Sequence, residues 1–142
     1  MQTDNVSRPI THQRVRLGAA VLGACLAAGC GGPNLAEVTG KVLVDGEPNG
    51  NVVVYFESKE TNKTFRSVSR SDQSYFLQMP SGETGIPPGE YRVWLGIAPG
   101  LDGLPESKKL EKNVPKKYWD KNSGLTCTVP AEGTSYAIEI GK

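Results

Sequence analysis

NVVVYFE, residues 51–57, is apolar on both faces of any strand it forms: Val52, Val54 and Phe56 fall on one side, Val53 and Tyr55 on the other. Side chains alternate along a strand, so a run without a polar face belongs in the middle of a sheet, covered on both sides. Its neighbours in sequence are apolar on one face. Upstream, Val38, Val42 and Val44 line one side of EVTGKVLVD, and the acidic, glycine-rich turn DGEPNGN joins the two segments. Downstream, Tyr75, Leu77 and Met79 alternate in SYFLQM, Tyr91, Val93, Leu95 and Ile97 in EYRVWLGIA, Leu125, Cys127 and Val129 in LTCTV, and Tyr136, Ile138 and Ile140 in SYAIEI. TFRSVSR is less regular, and its Arg66 and Arg70 suit an edge position, where charge discourages pairing with another chain.

Glycine and proline punctuate these runs, and no stretch of any length has the 3.6-residue period of a helix. Pro87-Pro88-Gly89 fixes φ twice and then frees it, and Ala131-Glu132-Gly133 turns the chain between the last two candidate strands. Six or seven short strands with turns between them predict an all-β fold, an antiparallel β-sandwich. The 107 residues from Ala36 to Lys142 are enough for one such domain. Segment 99–124, PGLDGLPESKKLEKNVPKKYWDKNSG, does not fit a tight sandwich. Its three prolines and its glycines predict a long irregular loop, anchored by Tyr118 and Trp119.

The N-terminus has a separate logic. Arg8, Arg14 and Arg16 precede an uncharged stretch whose apolar part, LGAAVLGACLAAG, spans about 20 Å as a helix, short of the roughly 30 Å a permanent membrane span must cross. A basic start, a short apolar run and a boundary of small residues predict a cleaved export signal over residues 1–29. Two frames resemble the lipobox of bacterial lipoproteins, in which a cysteine receives a diacylglycerol and becomes the new N-terminus. Leu22-Gly23-Ala24-Cys25 matches the pattern but leaves eight apolar residues after Arg16. Ala27-Ala28-Gly29-Cys30 has Ala in place of Leu, but a normal apolar length, with Gly31-Gly32-Pro33-Asn34 following as a tether. Cys30 is the preferred acylation site and Cys25 the alternative, with residues 30–36 as lipidated cysteine and tether. Several acyl chains hold a small domain firmly where one would be marginal. The only cofactor expected is this covalent lipid.

Removing residues 1–29 takes Arg8, Arg14, Arg16 and Asp4 from 16 basic and 15 acidic side chains, leaving 13 and 14. That balance argues against nucleic acid as a partner. The same cut removes His12, the single histidine, and with it the ordinary general base near pH 7 and the commonest metal ligand.

The combination of VTGKVLVDGEPNGNVVVYF, SDQSYFL, GIPPGEYRVWL and VPKKYWDKNSGLTCTV, with a closing alternating strand, resembles small bacterial lipoproteins that carry a carboxypeptidase-regulatory-like domain and abound in planctomycetes. The resemblance runs from Val38 to Ile140 and implies a transthyretin-like, seven-stranded Greek-key sandwich over residues 37–142. It brings no catalytic residues. Where the family has Asp-Gly before its aromatic strand, this chain has Asp72-Gln73-Ser74-Tyr75. Gly31, standing where an aspartate would imply inner-membrane retention, points to a lipoprotein of the outer membrane in a cell with two membranes, on its periplasmic or surface face, with the cell membrane as the alternative.

Candidate contact residues follow from charge and aromaticity. Lys108, Lys109, Lys112, Lys116, Lys117 and Lys121 lie among three acids, Glu106, Glu111 and Asp120, beside Tyr118 and Trp119. Such a segment suits anionic lipid head groups, phosphorylated glycans or a protein, or is a solvated loop pinned by its aromatics. Trp94 falls on the face opposite Tyr91, Val93 and Leu95, where it serves as a sugar-stacking platform or packs on the second sheet or under the long loop. Cys127 reads as a small buried hydrophobe. Catalysis is not expected: a Ser-His-Asp set is impossible without histidine, the hydrolases of the transthyretin type need histidines and a Tyr-Arg-Gly-Ser terminus where this chain ends EIGK, and no phosphate-binding or Ca²⁺-binding loop is present. The expected role is a non-enzymatic envelope module with a structural or protein-interaction function, with carbohydrate binding through exposed Trp and Tyr as the alternative.

Overall fold

The computed structural model describes residue 32 and residues 34–141, so Cys25 and Cys30 lie outside the described part. Among the described residues the fold is all-β, two sheets packed face to face. NVVVYFE forms β3 (Val52–Ser58), a central strand with β4 (Thr64–Val68) on one side and β6 (Gly89–Ile97) on the other; β7 (Leu125–Val129) pairs with β6. TFRSVSR supplies the edge strand β4, as its arginines suggest. The other sheet is built on β1 (Val38–Val44). β5 (Ser74–Phe76) and the two-residue β2 (Glu47–Pro48) pair with it antiparallel, while β8 (Thr134–Ser135) and β9 (Ile138–Ile140) run parallel to it. Within the antiparallel sandwich that the alternation predicts, these two short strands are the parallel exception. With the β1 sheet as the first and the β3 sheet as the second, the chain leaves the second sheet after β7 through the turn at 130–133 and reverses there, arriving beside β1 in the same direction.

The inner faces meet in a core that the sequence alternation picked out. Val38, Val42, Val52, Val54, Phe56, Tyr75, Leu77, Tyr91, Val93, Leu95, Cys127, Val129, Ile138 and Ile140 are all buried. Phe56 sits at the centre, its ring 6.0–6.2 Å from those of Tyr75, Tyr91 and Tyr136, in tilted and edge-on geometries that aromatic quadrupoles favour. Tyr75 lies over Gly40, the residue opposite it on β1, and its hydroxyl donates to the Tyr136 carbonyl at 2.5 Å. A glycine at this point of β1 lets the ring approach the backbone closely.

The turn before β5 places a residue other than glycine in a glycine-like conformation. Gln73 holds φ at 64°, a left-handed conformation. The Asp72 carboxylate accepts from the Ser74 amide (3.1 Å) and hydroxyl (2.7 Å), and the Gln73 amide donates to the Arg70 carbonyl at 2.8 Å. These bonds hold the turn against the steric cost of a side chain there. Gln73→Gly is expected to stabilise the fold by about 0.5–1 kcal/mol, read as a higher urea midpoint at unchanged slope.

Segment 99–124 departs from the expected loop. It contains helix α1 (Pro105–Asn113) and a 3₁₀ turn, Lys116–Trp119. The prolines that suggested irregular structure stand at the boundaries of these elements. Pro105 opens α1, where its missing N–H and fixed φ cost nothing, and Pro115 disfavours helical geometry at Val114, so α1 ends at Asn113. Glu106 in the first turn and Lys112 in the last suit the helix dipole, and Leu110 and Val114, four apart, bury themselves in the core.

Candidate functional site

The registers give the sandwich two distinct ends. β1 begins beside the 79–88 connection, where Ala36 pairs with Ile86, and the turn at 130–133 lies at this same end, with the Thr134 amide bonded to the Glu37 carbonyl. β1 finishes about 23 Å further on, at the Asp45–Gly46 turn. There, Lys109 and Asn113 of α1 share a recess with Val44, Asp45 and Glu47. Helix α1 thus occupies the end of the sandwich remote from the N-terminal entry.

At that remote end, β6 outruns its neighbour. β7 starts opposite Val93, so Leu95–Ile97 has β3 on one side and no strand on the other. The Ser123 hydroxyl closes the step, donating to the Val93 carbonyl at 2.5 Å and accepting from the Leu125 amide at 3.0 Å. Strand alternation then decides where the remaining main-chain groups point. The Ala98 amide bonds to Asn51 on the β3 side while the Val93 carbonyl faces the other way, so Leu95 and Ile97 also turn their N–H and C=O away from β3.

The space beside this open edge is a groove of about 470 Å³, walled by Trp119 and rimmed by Asp102, Glu111 and Lys116. Trp119 is half-buried and fixed, its indole N–H donating to the Val114 carbonyl at 3.2 Å. The side chains of Asp102, Glu111 and Lys116 are exposed and make no ion pair or hydrogen bond with any described residue.

The other lysines diverge from this place. Lys109 lines the recess near the β1–β2 turn, Lys117 folds its ammonium over the Tyr118 ring at 4.7 Å from the centroid, and Lys121 shares a shallow surface with Lys59 and Arg92. Lys108 and Lys112 are exposed on α1. What reads as one basic segment is therefore spread over several surfaces. Tyr118 and Trp119 both pack against the core, pinning the segment to the sandwich.

Trp94 lies on the outer face of the second sheet, as the alternation requires. It stacks on Tyr55, directly opposite on β3, at 5.2 Å with planes 10° apart. The Tyr55 ring in turn lies against Gly96, where a β-carbon would come within 2.7 Å of it. Beside this pair, Arg92 and the nearly buried Glu57 form an ion pair at 3.1 Å.

The buried polar side chains are committed to the fold. Ser69, Ser107 and Ser123 bond to backbone, and among the described residues no buried side-chain nitrogen or oxygen lacks a partner. Among the same residues no three His, Cys, Asp or Glu side chains are grouped to hold a metal ion. Cys127 is 5% exposed, and burial raises its thiol from 9.0 to about 11, the reverse of nucleophile activation. Tyr91 is raised from 10.0 to about 12 by burial and by the neighbouring Cys127; Tyr75 and Tyr136 shift upward for the same reasons. All four groups are held neutral, so the unfolded chain ionises first. Their contribution to stability is whole below pH 9 and falls as pH rises from 9 towards 12. Urea midpoints are expected to be level from pH 7 to 8.5 and lower at pH 10.5; a rise in that range would contradict the burial of these groups.

The sequence reading named Trp119 and Lys116 but not Asp102, and it treated Glu111 only as a counter-charge. The signal available was two acids upstream of an aromatic in a segment already suspected of contact. No protein-family model, no curated protein and no solved structure matches this chain.

Proposed function

We propose that this chain is a small bacterial lipoprotein of the planctomycete type, exported and acylated at Cys30, whose β-sandwich is a non-enzymatic module of the outer membrane. In this reading the sandwich is a transthyretin-like, carboxypeptidase-regulatory-like domain. β1, β3, β4, β5, β6, β7 and a closing strand divided into β8 and β9 supply the seven Greek-key strands, and β2 is a hairpin extension of β1. The observation that carries the role is the opposition of the two ends. From Cys30 to Ala36 the chain reaches about 20 Å at most, less than the length of β1 plus the depth of α1 beyond it. The end bearing α1 and Trp119 is then held away from the bilayer, free to meet an envelope protein or polysaccharide.

This arrangement disfavours lipid head groups as the target of Lys108, Lys109 and Lys112, because those side chains belong to the distant end. Support for a non-enzymatic role comes from the committed state of the buried serines and the raised thiol of Cys127, together with the removal of His12 with the signal.

Labelled palmitate is expected to enter the wild-type protein and to be absent from Cys30→Ser. Incorporation that survives in Cys30→Ser and disappears in Cys25→Ser would move the anchor to Cys25; no incorporation in the wild-type protein would overturn the lipoprotein reading.

A further inference from the structure

We infer that the groove between the open edge of β6 and the 99–124 segment is a binding site for a neutral saccharide of about two pyranose rings. The inference deepens the reading of the α1 end as the contact surface and rests on it. Four features of the groove converge on this ligand.

The indole of Trp119 supplies an apolar wall held in place by its bond to Val114, and the C–H faces of pyranose rings pack on such walls. Asp102 and Glu111 supply carboxylates without partners among the described residues, each able to accept from two neighbouring hydroxyls, while Lys116 donates from the same rim. Two negative groups against one positive make the rim unfavourable for phosphate or carboxylate ligands, which excludes the anionic polymers that the lysine content of the segment first suggested. The open edge adds main-chain donors and acceptors of Leu95 and Ile97 at fixed positions, suited to a ligand whose hydroxyls both give and accept.

Size and shape select among hydrogen-bonding ligands. An extended peptide adding to a sheet edge needs a run of free backbone, and this edge offers three residues before β6 ends at Ile97 and Pro99, without an N–H, follows. The groove volume of about 470 Å³ lies within the ~300–1,000 Å³ typical of small-ligand sites. A compact, hydroxyl-rich molecule fits this geometry better than a strand.

The test uses the full chain, acylated, in a detergent without sugar head groups. Trp94→Phe leaves Trp119 as the single tryptophan of the chain and hence the reporter. Titration with N,N′-diacetylchitobiose and with cellobiose is expected to give a saturable change in Trp119 emission for at least one of them, with a dissociation constant on the order of 1 mM. Asp102→Asn and Glu111→Gln should each weaken that binding about 5–10-fold, since each neutralises a charged acceptor. Lys108→Ala, on the exposed part of α1, should leave it unchanged. These rim variants are exposed and need no repacking, so a change in affinity is not confused with misfolding. No saturable change for either sugar up to about twenty times the expected constant would overturn the inference, as would binding indifferent to both rim variants, or saturable binding of an unstructured tetrapeptide in place of the sugars. A chain that takes up palmitate at Cys30 and fails this titration would keep its anchor and lose its ligand; one that binds sugar without acylation would do the reverse.

Discussion

Gly40→Ala is expected to cost about 3 kcal/mol or more, enough to remove most of the stability of a domain of this size. A β-carbon on Gly40 would stand 1.9 Å from the Tyr136 carbonyl oxygen and 2.7 Å from the Tyr75 hydroxyl. The first of those atoms is backbone and cannot rotate aside. Relief therefore requires that β1 move from the closing strands or that Tyr75 leave its place, and the second course breaks its hydrogen bond to Tyr136 and opens the core beside Phe56. Chemical denaturation of Gly40→Ala is expected to show a large loss in midpoint. A loss below about 1 kcal/mol would mean that the Tyr75 ring does not lie on β1.

Phe56→Ala is the second large effect, expected at about 3–5 kcal/mol. Phe56 is wholly buried and is the one ring that meets Tyr75 and Tyr136 of the first sheet and Tyr91 of the second. Removing it leaves a cavity between the sheets, bounded by three tyrosines. The hydroxyls of Tyr75 and Tyr91 are tied to the carbonyls of Tyr136 and Pro87 and resist a shift inward. Phe56→Leu, which keeps much of the volume, should cost less than half as much. Equal costs for the two variants would show that the ring's contacts, and not the filled space, dominate.

The strands were legible because burial on one face imposes alternation directly on sequence. In Tyr91, Val93 and Leu95 each inward residue is apolar and buried, and between them Arg92 is exposed and Trp94 half-buried. The doubly apolar run at 52–56 placed β3 in the middle of its sheet for the same reason. Helix α1 was missed because it buries little: within its nine residues Leu110 is the one large apolar side chain to reach the core, too few to show a period. Pro105 and Pro115 read as breakers when taken along the chain, although each marks a boundary. The parallel pairing of β8 and β9 with β1 depends on which sheet the chain enters after 130–133, and the turn sequence does not encode that choice.

The groove was the least legible feature. It exists because β7 falls short of the end of β6, a register fact that no composition or spacing reports. Trp119 was visible as an aromatic worth explaining, but its partners Asp102 and Glu111 become significant only once the 99–124 segment folds back on the open edge. The basic character of the segment pointed elsewhere, to anionic surfaces, and the structure separates its lysines.

Quenching in vesicles measures whether the acylated domain holds its α1 end away from the membrane. The acylated protein is reconstituted with a fluorophore at Ser81→Cys, in the 79–88 connection beside the N-terminal entry, or at Lys109→Cys on α1. Nitroxide-labelled lipid head groups are expected to quench the probe at position 81 and to leave the probe at position 109 bright. Strong quenching at 109 with little at 81, or equal quenching at both, would contradict that orientation.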